Sequence, residues 1–182
     1  MTHATWRHHA RPLALLAATT LWGGGLVAAP YALTHEHVSR GVQRLAVAAY
    51  GVGRVVCHQR PERSFVAWTL PLPVCARCAG LYAGAPLGVL FGLVASGRWR
   101  FARRRHPLET ARRGLVIASV PMLVSVVLEF GAGLAVPGWA RAVTALPLAA
   151  VVGWVSAAGL CGDLDHARSG HPATPGPVGM ST

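Results

Sequence analysis

Four long apolar runs dominate the pattern of hydrophobic and polar positions along the chain. They cover about residues 12–33, 78–97, 115–136 and 142–161. A helix needs about 20 apolar residues to cross the hydrocarbon core of a bilayer, and each run has that length or nearly so. The pattern predicts an all-α integral membrane fold, a bundle of about four transmembrane helices.

The segments around these runs complete the predicted organisation. Residues 34–77 form the longest connection, in which the stretch 41–56 is apolar but interrupted by arginines and so favours an interfacial helix over a fifth span. We expect residues 1–166 to form a single membrane domain. Residues 167–182 are rich in Gly, Pro and Ser with little apolar surface, which predicts a disordered tail.

Composition supports a membrane protein and narrows its partners. Of 182 residues, 53% are apolar and only 13% are charged, about half the share usual in soluble domains. A net charge of +11 could indicate nucleic-acid binding, since basic surfaces attract phosphate. The arginines, however, lie between apolar runs, where they are expected to set membrane topology. We therefore expect a lipid bilayer, and no nucleic acid, as partner.

Arginine density predicts the orientation in the membrane. The segment 98–114 holds seven Arg and one Glu, and short loops rich in Arg remain in the cytoplasm. With four spans, both termini are then cytoplasmic and the connection 34–77 faces outward. That connection also carries six Arg, but they are spread over many more residues. The sequence predicts a multi-pass protein of the cell membrane whose inner loop meets anionic lipids, and it indicates no particular protein partner.

Small residues at helical spacing indicate where the predicted spans pack. The second run carries a glycine at every fourth position, and the fourth run has a similar stripe of small residues. Helices in a bilayer associate through close backbone approach, which small residues permit. We expect both stripes to lie inside the bundle, where they could face each other. They are Gly80, Gly84, Gly88 and Gly92 in the second run, and Ala149, Gly153, Ala157 and Cys161 in the fourth.

The outward connection ends in residues suited to metal chemistry. Cys75 and Cys78 form a CxxC pair in VCARCAG, and Cys57 and His58 precede them. Two thiolates at CxxC spacing can bind one tetrahedral Zn²⁺, and the Cys–His pair converges on the same ion in a suitable turn. We predict a site for Zn²⁺ or another soft metal with these four ligands. Cys161 is expected at the opposite membrane face.

Two other interpretations of the cysteines stay open. An outward CxxC could cycle between dithiol and disulfide, which would make the protein a membrane thiol oxidoreductase. Alternatively, Cys57 could form a structural disulfide with Cys75 or Cys78 in a noncatalytic scaffold. Nearby arginines would favour thiolates for a metal and for redox exchange alike. Motifs such as GxSxG and GxxxxGK[ST] do not occur, and the sequence leaves open whether the protein is an enzyme.

Glu129 lies two-thirds of the way along the third run, where an ionisable side chain is costly and normally faces protein or water. If that run travels outward, Glu129 lies in the half of the bilayer that receives the cysteines. It could pair with Arg77 or Arg63 as a structural salt bridge, or act as a proton acceptor beside the site.

Residues 57–65, CHQRPERSF, followed by residues 73–84, PVCARCAGLYAG, resemble the signature of an uncharacterised family of small predicted membrane proteins, domain of unknown function 2085. The resemblance implies an integral membrane protein and supplies no activity. It adds Ser64 to the supporting polar residues Arg63, Arg77 and Glu129. The matching positions are Cys57, His58, Arg63, Ser64, Cys75, Arg77, Cys78, Gly80, Tyr82 and Gly84.

Overall fold

The computed structural model of the protein describes residues 3–57, 59–96 and 107–160. His58, Cys161, most of the arginine-rich loop and the predicted tail lie outside these described residues. Within them the fold is helical, with one two-stranded antiparallel sheet. The elements in chain order are α1 (His3–Thr34), α2 (Arg40–Val56), a 3₁₀ turn (Pro61–Arg63), β1 (Val66–Ala67), β2 (Leu70–Pro71), α3 (Ala76–Ser96), α4 (Pro107–Phe130) and α5 (Gly138–Leu160).

Four of these helices are long and apolar enough to cross a membrane. The predicted fold class, an all-α membrane protein with about four spans, is therefore confirmed. The candidate spans are Ala10–Thr34, Ala76–Val94, Leu108–Phe130 and Gly138–Leu160.

The outer surface of the spans is apolar. Ile117 is 71% exposed, Val127 64% and Phe91 62%. Exposing so many large apolar side chains to water would be unfavourable, whereas contact with lipid tails is not. Most of the buried apolar positions are instead alanine. The bundle thus places large residues outside and small residues inside, as close packing of membrane helices requires.

The third span is shifted relative to its predicted range of 115–136. α4 begins at Pro107, where the missing N–H costs no hydrogen bond because the first helical turn has no acceptor for it. Arg113 therefore lies on α4 and not in a loop. α4 ends at Phe130 because the chain turns through Gly133, whose φ of 66° suits glycine. Apolar residues continue beyond this turn, so hydropathy alone placed the end of the span too late.

α3 and α5 form a close parallel pair. Gly80 lies against Ala142 and Gly88 lies against Ala150, so residue numbers rise together along both helices. A β-carbon at Gly80 or Gly88 would collide with a backbone carbonyl oxygen of α5. The approach of the two backbones therefore depends on the absence of side chains. All four glycines of the stripe, Gly80, Gly84, Gly88 and Gly92, face α5.

α1 packs antiparallel to α3. The ring of Trp22 meets Tyr82 with centroids 6.1 Å apart. Tyr31, near the end of α1, meets Trp68, which precedes α3, at 5.5 Å. The end of α1 therefore lies at the same end of the bundle as the start of α3.

α2 is an amphipathic helix packed on the end of α1. Its Ala46 is buried with Ala29 and Ala32 of α1, whereas Leu45 and Val55 are 71% and 86% exposed. The stretch expected to form a helix is thus helical. An exposed apolar face on a helix that also carries arginines is typical of a membrane interface.

Replacing Gly88 with Val should force α3 away from α5. Since the new side chain would overlap the backbone at Ala150, we expect a loss of about 1–3 kcal/mol in the free energy of unfolding, typical of overpacking. Denaturant unfolding of the detergent-solubilised protein measures this loss. Gly24→Val is the matched control, because nothing lies within 4 Å of that position. Equal losses in the two variants would contradict the packing account.

Candidate metal centre

The CxxC pair lies at the start of α3. Cys75 precedes Ala76, the first residue of the helix, and its carbonyl accepts a hydrogen bond from the amide of Ala79 at 2.9 Å. Cys75 is therefore the N-cap residue, and Cys78 lies in the first turn. Residues three apart share one side of a helix, so the two thiols can approach each other.

Cys57 reaches the same point from the end of α2. It is the C-cap of that helix, with extended backbone, and its amide donates to the carbonyl of Gly53 at 2.8 Å. Its sulfur accepts a hydrogen bond from the Cys75 amide at 3.3 Å. The Sγ atoms of Cys57, Cys75 and Cys78 all lie within 4.8 Å of one another. All three are half-buried free thiols.

Gln59 ties the segment after Cys57 to the segment before Cys75. Its side-chain amide donates to the carbonyls of Tyr50 at 2.8 Å and Pro73 at 2.6 Å. Gln59 has a φ of 41°, and a non-glycine residue in this left-handed region costs about 1–3 kcal/mol unless its surroundings hold it. The two hydrogen bonds supply that hold.

The chain between the cysteines folds back through a short hairpin. Trp68 and Thr69, with φ of 48° and 69°, form its two-residue turn, which has the backbone of a type I′ turn. The amide of Leu72 donates to the carbonyl of Phe65 at 2.7 Å and closes the hairpin base. This return brings Cys75 to Cys57.

Glu129 is the centre of an ion-pair cluster beside the thiols. Its side chain is 8% exposed and accepts hydrogen bonds from Arg77 at 2.6 Å and Arg141 at 3.0 Å, and Arg63 lies at 3.5 Å. Arg77 also donates to the backbone carbonyl of Ser125 at 3.3 Å. One carboxylate thus joins α3, α4, α5 and the 3₁₀ turn.

The ion-pair cluster carries excess positive charge, because three guanidiniums share one carboxylate. The Nε atoms of Arg77 and Arg141 are buried and have no hydrogen-bond partner among the described residues. Buried donors without acceptors are costly, and further negative charge nearby would offset part of that cost. Thiolates at the adjacent cysteines are groups that can provide it.

A cleft of about 450 Å³ opens beside the thiols. Its wall combines the three cysteines with guanidinium groups and with the apolar side chains of Val56 and Phe130. The four arginines that line it are Arg60, Arg63, Arg77 and Arg141. A group bound to the sulfurs could therefore be reached from outside the helix bundle.

The surroundings of Cys75 favour its thiolate. A hydrogen bond from the Cys78 thiol, aided by the backbone amides of Cys78 and Arg77, lowers the pKa of Cys75 from 9.0 to about 5, although burial opposes the shift. The amides belong to the first turn of α3, and helix N-termini commonly stabilise thiolates. These contacts favour the thiolate form of Cys75, which is the form that binds a metal ion or acts as a nucleophile.

The structure brings together three of the four predicted ligands, Cys57, Cys75 and Cys78. His58 lies outside the described residues. Among the predicted supporting residues, Arg63, Arg77 and Glu129 meet in the ion-pair cluster. A salt bridge of Glu129 with Arg77 or Arg63 is one of the two roles that the sequence predicts for this carboxylate. The hydroxyl of Ser64 instead donates to the carbonyl of Arg60 at 3.1 Å, and Ser64 is not part of the cleft wall.

Sequence reasoning missed Arg141, Gln59 and Phe130. Arg141 lies just before the predicted span 142–161, but the structure places it in the first turn of α5, where it pairs with Glu129. A basic residue just inside one span and an acidic residue inside the preceding span are a usable signal for a buried pair. Gln59 and Phe130 act through contacts that no local pattern reveals.

Comparison with known proteins places the site inside a recognised family segment. Residues 57–155 match the family described as predicted membrane protein, domain of unknown function 2085. An uncharacterized protein of Methanocaldococcus jannaschii is 30% identical over 97 residues, which are 53% of this chain and 58% of the relative. An uncharacterized protein of Methanothermobacter thermautotrophicus is 50% identical over 32 residues, 18% of this chain and 29% of the relative. The chain thus spans less than two thirds of either relative, and no solved structure matches it.

Replacing Glu129 with Gln should destabilise the bundle by about 3–5 kcal/mol, the usual cost of removing one partner from a buried ion pair. Arg77 and Arg141 would keep their charges without a carboxylate to accept from them. Denaturant unfolding in detergent checks the loss.

Glu109→Gln is the matched control for this variant. Glu109 pairs with Arg113 on the surface, where the carboxylate side chain is 46% exposed, so the change should cost less than about 0.5 kcal/mol. A loss at Glu129 no larger than that at Glu109 would show that the buried cluster does not hold the helices together.

Proposed function

This chain belongs to the predicted membrane protein family, domain of unknown function 2085, and from that premise we propose that it binds one soft transition metal ion, preferably Zn²⁺, through Cys57, Cys75 and Cys78. The observation that carries this proposal is the approach of three free thiols to within 4.8 Å of one another. A tetrahedral zinc site has Zn–S distances of about 2.3 Å and sulfurs about 3.8 Å apart. The three sulfurs therefore need to close by only about 1 Å.

The charge around the thiols supports metal binding. Zinc requires deprotonated thiols, and the low pKa of Cys75 supplies the first thiolate. Three thiolates with one divalent ion carry a single net negative charge, which would offset part of the excess positive charge on the ion-pair cluster. The neighbouring guanidiniums thereby stabilise the negative charge of this half-buried site.

His58 is the proposed fourth ligand, because an imidazole next to Cys57 in sequence completes a Cys₃His set. A site closed by His58 would be structural. A fourth position left to water or a ligand would open toward the cleft and would permit chemistry there.

Thiol–disulfide exchange is a second candidate, and the Cys75 thiolate favours it. In this reaction the Cys75 sulfur attacks a disulfide of a partner protein, and the Cys78 sulfur then displaces that partner. The partner leaves with two thiols, and this chain keeps a Cys75–Cys78 disulfide. The two candidates exclude each other at a given moment, because the same sulfur lone pairs would hold the metal.

The proposal includes an orientation in the cell membrane. Residues 1–166 would form the membrane domain, with the cleft outward and both termini in the cytoplasm. Support comes from the order of the chain, since α3 begins beside the cleft and the arginine-rich loop follows its other end in the sequence. Arginines of the loop would then contact anionic lipids of the inner leaflet.

Orientation can be tested with single cysteines added at the two ends of the bundle. Ala135→Cys, in the exposed segment between α4 and α5, should react with a membrane-impermeant maleimide in intact cells. Arg104→Cys, in the arginine-rich loop, should react only after permeabilisation. The labelling of each variant is measured as the excess over that of the parent protein, which has its own cysteines. Labelling of Arg104→Cys in intact cells, and of Ala135→Cys only after permeabilisation, would overturn the orientation.

Protein purified under reducing conditions in the presence of zinc should retain one metal ion per chain, as measured by elemental mass spectrometry. Cys75→Ser combined with Cys78→Ser should remove the ion, because a single thiolate cannot hold it against dilution. Cys161→Ser is the control, since this cysteine is expected at the opposite membrane face and its loss should leave the metal content unchanged.

Thiol counting on the same preparation separates the alternatives. Metal-free protein with a Cys75–Cys78 disulfide, and a mixed disulfide trapped by Cys78→Ser, would replace metal binding with exchange chemistry. A stable disulfide from Cys57 to Cys75 or Cys78 would instead support the noncatalytic scaffold.

A further inference from the structure

The cleft beside the thiols is lined by more positive charge than its ion pairs neutralise. Four guanidiniums face it, whereas Glu129 is the carboxylate that pairs with three of them. Among the described residues, the Arg60 guanidinium has no ion-pair partner. Four positive groups and one negative group leave three positive charges in excess.

A bound metal does not remove this excess. Three thiolates and one divalent ion together add a single negative charge, so two positive charges remain in excess. Without metal, a single thiolate at Cys75 also leaves two positive charges in excess, and neutral thiols leave three. The cleft is therefore electropositive with or without a bound metal ion. A ligand attracted by this charge goes beyond the proposed metal binding and does not require it.

The 3₁₀ turn presents two of the arginines to the cleft together. The amide of Arg63 donates to the carbonyl of Arg60 at 2.9 Å, and residues three apart in such a turn lie in register. Arg60 is exposed, and the side chain of Arg63 is 31% exposed. Both guanidiniums are thus accessible to a ligand, whereas Arg77 and Arg141 are largely buried against Glu129.

The cleft also has an apolar wall. The guanidinium of Arg63 lies over the ring of Phe130, 5.1 Å from its centroid, and Val56 lines the opening as well. A volume of about 450 Å³ falls in the range of sites that bind small organic molecules, about 300–1,000 Å³. An inorganic ion alone would leave most of this space and its apolar wall unused.

We propose that the cleft binds a small organic oxyanion, a phosphate ester or a carboxylate with an apolar body, through Arg60 and Arg63. Guanidinium groups bind both kinds of oxyanion with paired hydrogen bonds. The apolar body would lie against Phe130 and Val56. The cleft lies at the N-terminal end of α3, where that candidate span begins. The oxyanion could therefore be the headgroup of an anionic lipid or a soluble ester.

Phenyl phosphate is a suitable probe, because it joins a phosphate to a small apolar body. Calorimetric titration would use the full chain in nanodiscs of phosphatidylcholine, which adds no net surface charge. We expect saturable binding that weakens about tenfold in Arg60→Gln, the loss of one charged hydrogen-bonding group. Arg54→Gln removes an equal charge from exposed α2 outside the cleft wall and should leave the affinity unchanged. No saturable binding, or equal losses in the two variants, would overturn the proposal.

Two further arms identify the source and separate this proposal from metal binding. Phosphatidylglycerol added to the nanodiscs should compete with phenyl phosphate in the parent protein if a lipid headgroup is the natural ligand, and should not compete if it is a soluble ester. Whether or not phosphatidylglycerol competes, the Arg60→Gln variant should keep the metal content of the parent protein. Cys75→Ser with Cys78→Ser should lose metal yet still bind phenyl phosphate, and loss of both would overturn the charge-based proposal.

Discussion

The ion pairs of Glu129 constrain how the helices and the cysteine-containing connection can assemble. A carboxylate in a membrane span is tolerated only when basic partners or water surround it. The two shortest ion pairs of Glu129 are with Arg77 of α3 and Arg141 of α5. Arg63 adds the 3₁₀ turn to the same point. The pairing therefore fixes the end of α4 beside the start of the two parallel helices, which is where the thiols meet.

The packing of the α3 and α5 backbones sets the depth in the membrane at which the thiols meet. The glycines of α3 let it approach α5 closely, and only one register brings Gly80 to Ala142 and Gly88 to Ala150. With α3 held in this way, its N-terminus presents Cys75 and Cys78 in one turn. Gln59 then holds the end of α2 against the same segment, so Cys57 completes the cluster.

Hydropathy and spacing predicted the four spans and the pairing of two thiols, because both depend on residues close in sequence. The end of α4 at Phe130 escaped this reasoning, since apolar residues continue past the turn at Gly133. Arg141 and Gln59 escaped it because their partners are distant in the chain. Placing Glu129 near Arg77 and Arg63 was possible because an isolated charge inside a span requires a counter-charge.

X-ray absorption spectroscopy at the zinc edge, on the protein in lipid nanodiscs, tests the central claim of a three-cysteine metal site most directly. The account predicts three sulfur neighbours at about 2.3 Å and one lighter neighbour, nitrogen or oxygen, at about 2.0–2.1 Å. A spectrum with only nitrogen and oxygen neighbours, or protein that takes up no zinc while its thiols are reduced, would contradict it.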